Sequence, residues 1–424
     1  MMTTTRDGSS ATALFPPDDV LHEILLRVPP HLSCLLRVSV VCKLWRSVVV
    51  DPSFLRRFRA RHGGGGAPVL GVFHNNPRAG GRFVGAGDPP DRVPAERFSP
   101  RDLCCDRWLV LGGGRWLVHG CHRGRAVLHD GACRLLVWDP VTDDRRYVKL
   151  PPLRHGSNIG GVNAVLIVDA DIDDGDGSCF RFRIAVASVA HGTAVSAVYS
   201  SETDAWGDTA FAGAWTSIPS EKPGAAVGDA VYWLLNDNRV LSLKTNAGGV
   251  QVLSVAVLPA KVPSSYDGNV QLTSTTDGKI GLIAVSSCGS ALHFLELDET
   301  DGDGNTSWMP RRTVPLDETL VPAGPEETDG ERRHSVRIVG VHDDGAVVFL
   351  WTVHGVFMLR LDLESESTQM IKRLHGIDET HGQFYAVYPY TSLFSHRWLS
   401  SRRVENDGSG GGNEEYLSSI YSVF

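Results

Sequence analysis

The sequence predicts an α+β multidomain protein: a small helical unit over residues 15–62, then a large all-β domain over residues 63–400. Three observations carry this. Apolar residues recur with a helical period only before His62, the glycine run 63–66 ends that pattern, and everything after it reads as short strands separated by turn residues. Within the second region a strand–polar turn–strand piece recurs at roughly 40–60-residue spacing, which favours a propeller over a sandwich.

Residues 1–14, MMTTTRDGSSATAL, read as a disordered leader. From Pro17 the apolar positions Val20, Leu21, Ile24, Leu25 and Val28 fall on one helical face, with Asp18 and Asp19 suited to the positive end of the helix dipole. Pro29-Pro30 closes that helix. Leu32, Leu35, Leu36 and Val38 mark a second helix. Val41, Cys42, Trp45, Val48 and Val49 mark a third, with Leu44 and Val50 widening its apolar surface. Asp51-Pro52 restarts the chain as N-cap and first helical residue, because proline lacks only an N–H that would have no helical partner there. The fourth piece, SFLRRFRARH, is strongly basic.

The strands follow as RLLVWDP (134–140), RFRIAVASV (181–189), AVSAVYS (194–200), DAVYWLL (229–235), RVLSLKT (239–245), KIGLIAV (279–285), ALHFLEL (291–297), AVVFLWT (346–352) and GVFMLRL (355–361). TTDG before KIGLIAV and HDDG before AVVFLWT are hairpin turns. The recurring piece is WDPVTDDRRYVKLPPL, YSSETDAWGDTAFAGAWTSIP, LSLKTNAGGVQVLSVAVLP, LELDETDGDGNTSWMPRRTVPL and LRLDLESESTQMIKRL. Length favours six or seven blades of a kelch-like propeller, and residues 401–424, with GSGGGNEE, read as a partly disordered tail.

Apolar content of 42% and charged content of 21% describe a soluble globular chain. The net charge of −8 is uneven: residues 1–62 hold nine Lys/Arg against five Asp/Glu, the remainder 32 against 44. An acidic body argues against nucleic-acid binding. No signal-peptide pattern and no apolar run of membrane-spanning length occur, and the eight irregularly spaced cysteines read as reduced thiols of the cytoplasm or nucleus.

Candidate chemical sites are weak. DADIDDGDG (169–177) and DETDGDGN (298–305) lack the glycine and glutamate positions of a calcium loop and read as acidic hairpins. Cys104, Cys105, His119, Cys121 and His122 lack zinc-ligand spacing. The glycine runs 63–66 and 112–114 lack the Lys-Ser/Thr of a phosphate loop, and Arg56, Arg57, Arg59 and Arg61 read as a solvated helix face. No catalytic residues, cofactor or metal are expected. A helical unit this small with surplus apolar surface is best explained by docking on another protein, the alternative being packing on this chain's own all-β domain.

PPDDVLHEILLRVP followed by SCLLRVSVVCKLWRSVVVDPSFL resembles the F-box, whose pattern runs Leu-Pro, acidic residues, Glu-Ile-Leu, Arg-Leu-Pro, Val-Cys-Lys-x-Trp-Arg and Asp-Pro. Pro16 stands where that family usually has leucine, with Phe15 one residue earlier. The later PVLGVFHN, DPPDRVPAERFS, LLVWDPVT, VYSSETDAWGD, DAVYWLL and YPYTSLF resemble the F-box-associated propellers of plant, especially grass, F-box proteins. The resemblance implies a three-helix F-box that binds a Skp-family adaptor, and through it cullin and RING subunits of a ubiquitin ligase, while the propeller receives a protein substrate. It places Pro17, Val20, Ile24, Leu25, Val28, Leu35, Val38, Val41, Cys42 and Trp45 at or under the adaptor interface, some of them as internal core. It implies a non-catalytic receptor without cofactor, nucleic-acid or membrane partner. The rival expectation is a propeller-based binding protein or enzyme, a kelch-type oxidase or sugar binder, acting outside ubiquitination.

Overall fold

The computed structural model describes residues 18–391 except 30–31, 63–68, 77–79, 89–91, 94, 100–115, 132, 142, 152–161, 169–180, 220–221, 246–249, 260–261, 263–268, 276, 288, 299–306, 317–335, 344, 353, 363–366 and 378–385. The expected leader and tail, both glycine runs, the loop 169–177, most of 298–305, and Pro17, Cys104 and Cys105 lie outside the described residues. The chain divides into two compact units with the boundary at Gly65–Gly66.

Among the described residues the first unit holds four helices: α1 (Asp18–Leu25), α2 (Leu32–Val41), α3 (Lys43–Val50) and α4 (Pro52–His62). The expected third helix starts later than its apolar period, because Cys42 is extended (φ −162°, ψ 170°) and breaks α2 from α3. The fourth helix is no mere connector. Phe54, Leu55 and Phe58 of α4 complete one core with Leu21, Leu25, Leu35, Val38, Val48 and Val49. Arg56, Arg57 and Arg61 stay on its solvent side.

The second unit is a propeller of six antiparallel blades. The first blade joins β1 (Val69–Asn76) and β2 (Gly80–Gly85) to the last strand among the described residues, β24 (Val387–Thr391). The second runs β3 (Leu117–His122), β4 (Arg125–His129), β5 (Arg134–Asp139) and β6 (Asp144–Lys149). In the third, β7 (Asn163–Ile167), β8 (Arg183–Ala190) and β9 (Thr193–Ser200) are followed by β10 (Ala205–Trp206) and β11 (Ala210–Gly213), both paired with β9. The fourth is β12 (Ala225–Val227), β13 (Ala230–Leu234), β14 (Arg239–Thr245) and β15 (Gln251–Val257). The fifth is β16 (Val270–Ser274), β17 (Ile280–Val285), β18 (Ala291–Asp298) and β19 (Ser307–Pro315). The sixth is β20 (Val336–Val341), β21 (Val347–Thr352), β22 (Gly355–Asp362) and β23 (Ser367–Leu374).

The expected range of six or seven blades thus resolves to six. The recurring sequence piece is the outer part of five blades, built on β5–β6, β9–β11, β14–β15, β18–β19 and β22–β23. Its aromatic–acidic turn has a physical cause. Trp138 Nε1 donates to Asp143 Oδ1 at 3.0 Å, and the Tyr199 hydroxyl donates to Asp204, five residues on in both cases. Asp143 and Asp204 occupy left-handed backbone (φ 59° and 52°), which acidic side chains tolerate at turns. The TTDG and HDDG turns use Gly278 and Gly345 with φ of 71° and 70°.

Neighbouring innermost strands approach around a closed ring in the order β24, β3, β7, β12, β16, β20 and back to β24. Each blade therefore buries both faces. Blades two and three share Val137, Val148 and Ile184, and three and four share Val165, Trp233 and Leu241. Blades five and six share Ile283, Leu292, Ile338 and Leu350. The first and second blades meet through aromatics: Phe73, packed on Tyr390 of its own blade at 5.7 Å, lies 6.1 Å from Trp138 of the second. Asn75 pairs its amide with the Val118 backbone, at 2.8 Å in both directions, and Tyr390 donates to the Gly124 carbonyl at 3.0 Å. Among the described residues no helix is long and apolar enough to cross a membrane.

Candidate docking face and propeller channel

The helical unit is tied together at its ends. Asp51 Oδ1 accepts from the Ser53 and Phe54 amides at 2.8 and 3.0 Å, capping α4, and the hydrogen bond from the Ser53 hydroxyl does most to lower its pKa. The Trp45 amide points at Cys42 Sγ at 3.5 Å, so a thiol fills the cap position of α3. Arg57 reaches Glu23 at 2.9 Å, joining α4 to α1, and the His62 ring lies 2.9 Å from the Leu26 carbonyl.

This frame sorts the sequence-predicted adaptor residues. Leu25, Leu35 and Val38 are core, with 1%, 0% and 8% of their surface exposed. Val28 and Trp45 are half-buried against that core, and Cys42 is half-buried as the α3 cap. Val20, Ile24 and Val41 point outward with 44%, 47% and 58% exposed. The single apolar face read along α1 is thus two stripes: Leu21 and Leu25 inward, Val20 and Ile24 beside them outward. Covering each of the three outward aliphatics is worth about 1 kcal/mol, since full burial of such a side chain contributes roughly 1.5–3 kcal/mol. The Trp45 indole N–H is enclosed without an acceptor among the described residues.

The propeller has a narrow central channel of about 100 Å³, lined by all six innermost strands. His122 Nδ1 lies 2.5 Å from Asp343 Oδ2 across it, joining the second blade to the sixth. His119 is buried beside His129, ring centres 5.7 Å apart; burial first, and His129 second, push its pKa down to about 3, so it is neutral. Burial and the Asp343 carboxylate raise the Cys121 thiol well above its ordinary value. Among the described residues no three His, Cys, Asp or Glu side chains come together to hold a metal ion. The channel pair escaped the sequence reading because His122 and Asp343 lie on blades distant in the chain. The one visible signal is the matching Gly-x-His of VHGCH and IVGVH in β3 and at the end of β20.

A four-helix head carrying outward aliphatics and a separate six-bladed propeller define an F-box protein of the propeller class. Two family profiles agree in place as well as kind: the F-box domain matches residues 17–57, and the profile described as "F-box protein AT5G49610-like, beta-propeller" matches residues 117–395. The chain belongs to that second family, whose match covers most of its length. No curated protein matches the chain. Among solved structures it is similar to a functionally unknown protein from Desulfotomaculum acetoxidans at 16% identity, TM-score 0.36, over 64% of this chain and 74% of that one. It is also similar to the Cps50 (Swd1) propeller domain of Myceliophteria thermophila at 10% identity, TM-score 0.32, over 62% and 88%. Both likenesses are too distant to carry functional weight.

Proposed function

We propose that this chain is the substrate-receptor subunit of an SCF-type ubiquitin ligase, working in the cytoplasm or nucleus. The observation that carries the reading is the F-box domain at residues 17–57 on the same chain as the propeller at 117–395. F-box domains generally bind Skp1-type adaptors, and the F-box propeller family generally serves as a non-catalytic adaptor. The head docks on the Skp adaptor and so on cullin and RING subunits, while the propeller holds a protein substrate. Such a subunit accelerates ubiquitin transfer by raising the effective concentration of substrate lysines near the charged enzyme.

Adaptor docking uses Val20, Ile24 and Val41, the outward aliphatics, with Leu25, Leu35 and Val38 shaping the helices beneath them. Capture of recombinant protein by a purified Skp adaptor tests this. Ile24→Asp with Val41→Asp should reduce capture more than about tenfold with the helical content and melting of the head retained. Unchanged capture by that variant, or no capture of the parent protein, would sink the reading.

A further inference from the structure

Between the first and sixth blades lies a cleft of about 590 Å³, away from the central channel and inside the usual ~300–1,000 Å³ range of small-ligand sites. The charged side chains among its described lining residues are all cationic. Arg82 projects from β2, Arg92 from the segment after it, and Lys372 from β23, with His375 at the rim. No Asp or Glu is among the described lining residues. Asp88, a described carboxylate beside the cleft, is exposed; it pairs with Lys372 and stands 4.0 Å from Arg92. The Arg82 and His375 side chains make no hydrogen bond or ion pair among the described residues. Among the described residues, three cations held by separate elements surround one opening with one carboxylate beside them. Phe83, Val93 and Leu374 also line the cleft, each nearly enclosed and showing it only a narrow apolar edge.

We propose that this cleft binds a phosphomonoester. The tetrahedral dianion sits among Arg82, Arg92 and Lys372, which offer planar and point-charge donors from both blades, and the body of the ester lies along Phe83, Val93 and Leu374. Asp88 holds Lys372 while the cleft is empty and is the internal competitor for the same charges. The chemistry is shared by a free phosphorylated small molecule and a phosphorylated side chain on a protein. The site stands on the propeller alone, so its failure leaves adaptor docking by the head untouched.

Phenyl phosphate is the probe, titrated into the full chain by calorimetry at low salt, where such contacts are least screened. Saturable binding is expected, weakened at least about tenfold in Arg82→Ala with Arg92→Ala and strengthened by a few-fold in Asp88→Asn. These exposed substitutions should leave the thermal unfolding of the propeller unchanged, which confirms that lost binding is not lost fold. Inorganic phosphate should bind more weakly than phenyl phosphate, because it cannot use the apolar wall. N-acetyl-phosphotyrosine amide separates the sources: tighter binding than phenyl phosphate assigns the site to a protein side chain, equal binding to a free ester. Absent saturation, equal affinity of parent and double-arginine variant, or equal affinity for inorganic and phenyl phosphate would each overturn the proposal.

Discussion

The head and the propeller bury apolar residues in opposite ways. Four short helices enclose a core around Leu21, Leu35, Phe54 and Leu55, yet Val20, Ile24 and Val41 are left outward. In the propeller nearly every apolar strand position is used twice over, because each sheet is covered on both faces by its neighbours. All of β4, β7 and β17 are buried end to end. Its own outward apolar residues are concentrated at Phe211 and Trp215 in the third blade and on β15 beside it. The ring thus gathers most of its uncovered apolar surface at one place, whereas the small bundle leaves aliphatics outward beside its core. That contrast is consistent with the proposed docking of the head through Val20, Ile24 and Val41.

Closure is where the contrast breaks most sharply. The first blade is completed by β24, whose Val387, Tyr388 and Tyr390 are fully enclosed. Ending the chain after Ala386 should abolish cooperative unfolding of the propeller, a loss on the order of a whole domain's ~5–15 kcal/mol. Adaptor capture by the head should survive it. Calorimetric unfolding and capture assays on the same sample check both, and a surviving propeller transition would contradict ring closure by β24.

A smaller effect tests the ring at one atom. A Cβ on Gly340 would stand 2.3 Å from the Val387 carbonyl oxygen, so β20 and β24 can approach only across a glycine. Gly120 holds the corresponding place in β3, yet a Cβ there meets nothing within 4 Å. Gly340→Ala should therefore cost about 2–4 kcal/mol through a forced backbone shift, while Gly120→Ala should stay within about 0.5 kcal/mol. Chemical denaturation of the two variants distinguishes them, and equal losses would mean that the two strands are equally crowded.

The sequence was most legible where local chemistry and burial agree. The nine strands read from alternation and turns all exist, because strands such as β5 and β17 are flanked by turn residues and hold unbroken apolar runs. The innermost strands were harder. β12 is three residues long, β3 carries His-Gly-Cys-His, and β24 has Pro389 in its middle, since these strands face a channel and close neighbours rather than one apolar core. Blade number was open because the first blade is assembled from both ends of the propeller and lacks the recurring outer piece. On the head, periodicity marked an apolar arc but not which edge faces inward. That was settled only by Phe54, Leu55 and Phe58 of α4, which occupy the side facing Leu21 and Leu25. The basic cleft joins Arg82 and Arg92 to Lys372 across nearly the whole propeller sequence, and no local pattern could have announced it.

The smallest effect sharpens the boundary of the head itself. If α4 belongs to the helical core, its cap should matter to head stability and not to the propeller. Asp51→Ala removes the acceptor of the Ser53 and Phe54 amides and should cost about 1 kcal/mol. The Ser53 hydroxyl and those amides hold the folded Asp51 pKa below its unfolded value, so the carboxylate stabilises the head above about pH 4. That contribution fades as pH falls through the lower, folded pKa. Parent and variant should therefore differ at neutral pH and converge in acid, when helix unfolding is followed by circular dichroism. A difference that persists unchanged at the lowest pH would show that the side chain acts through packing and not as a charged cap.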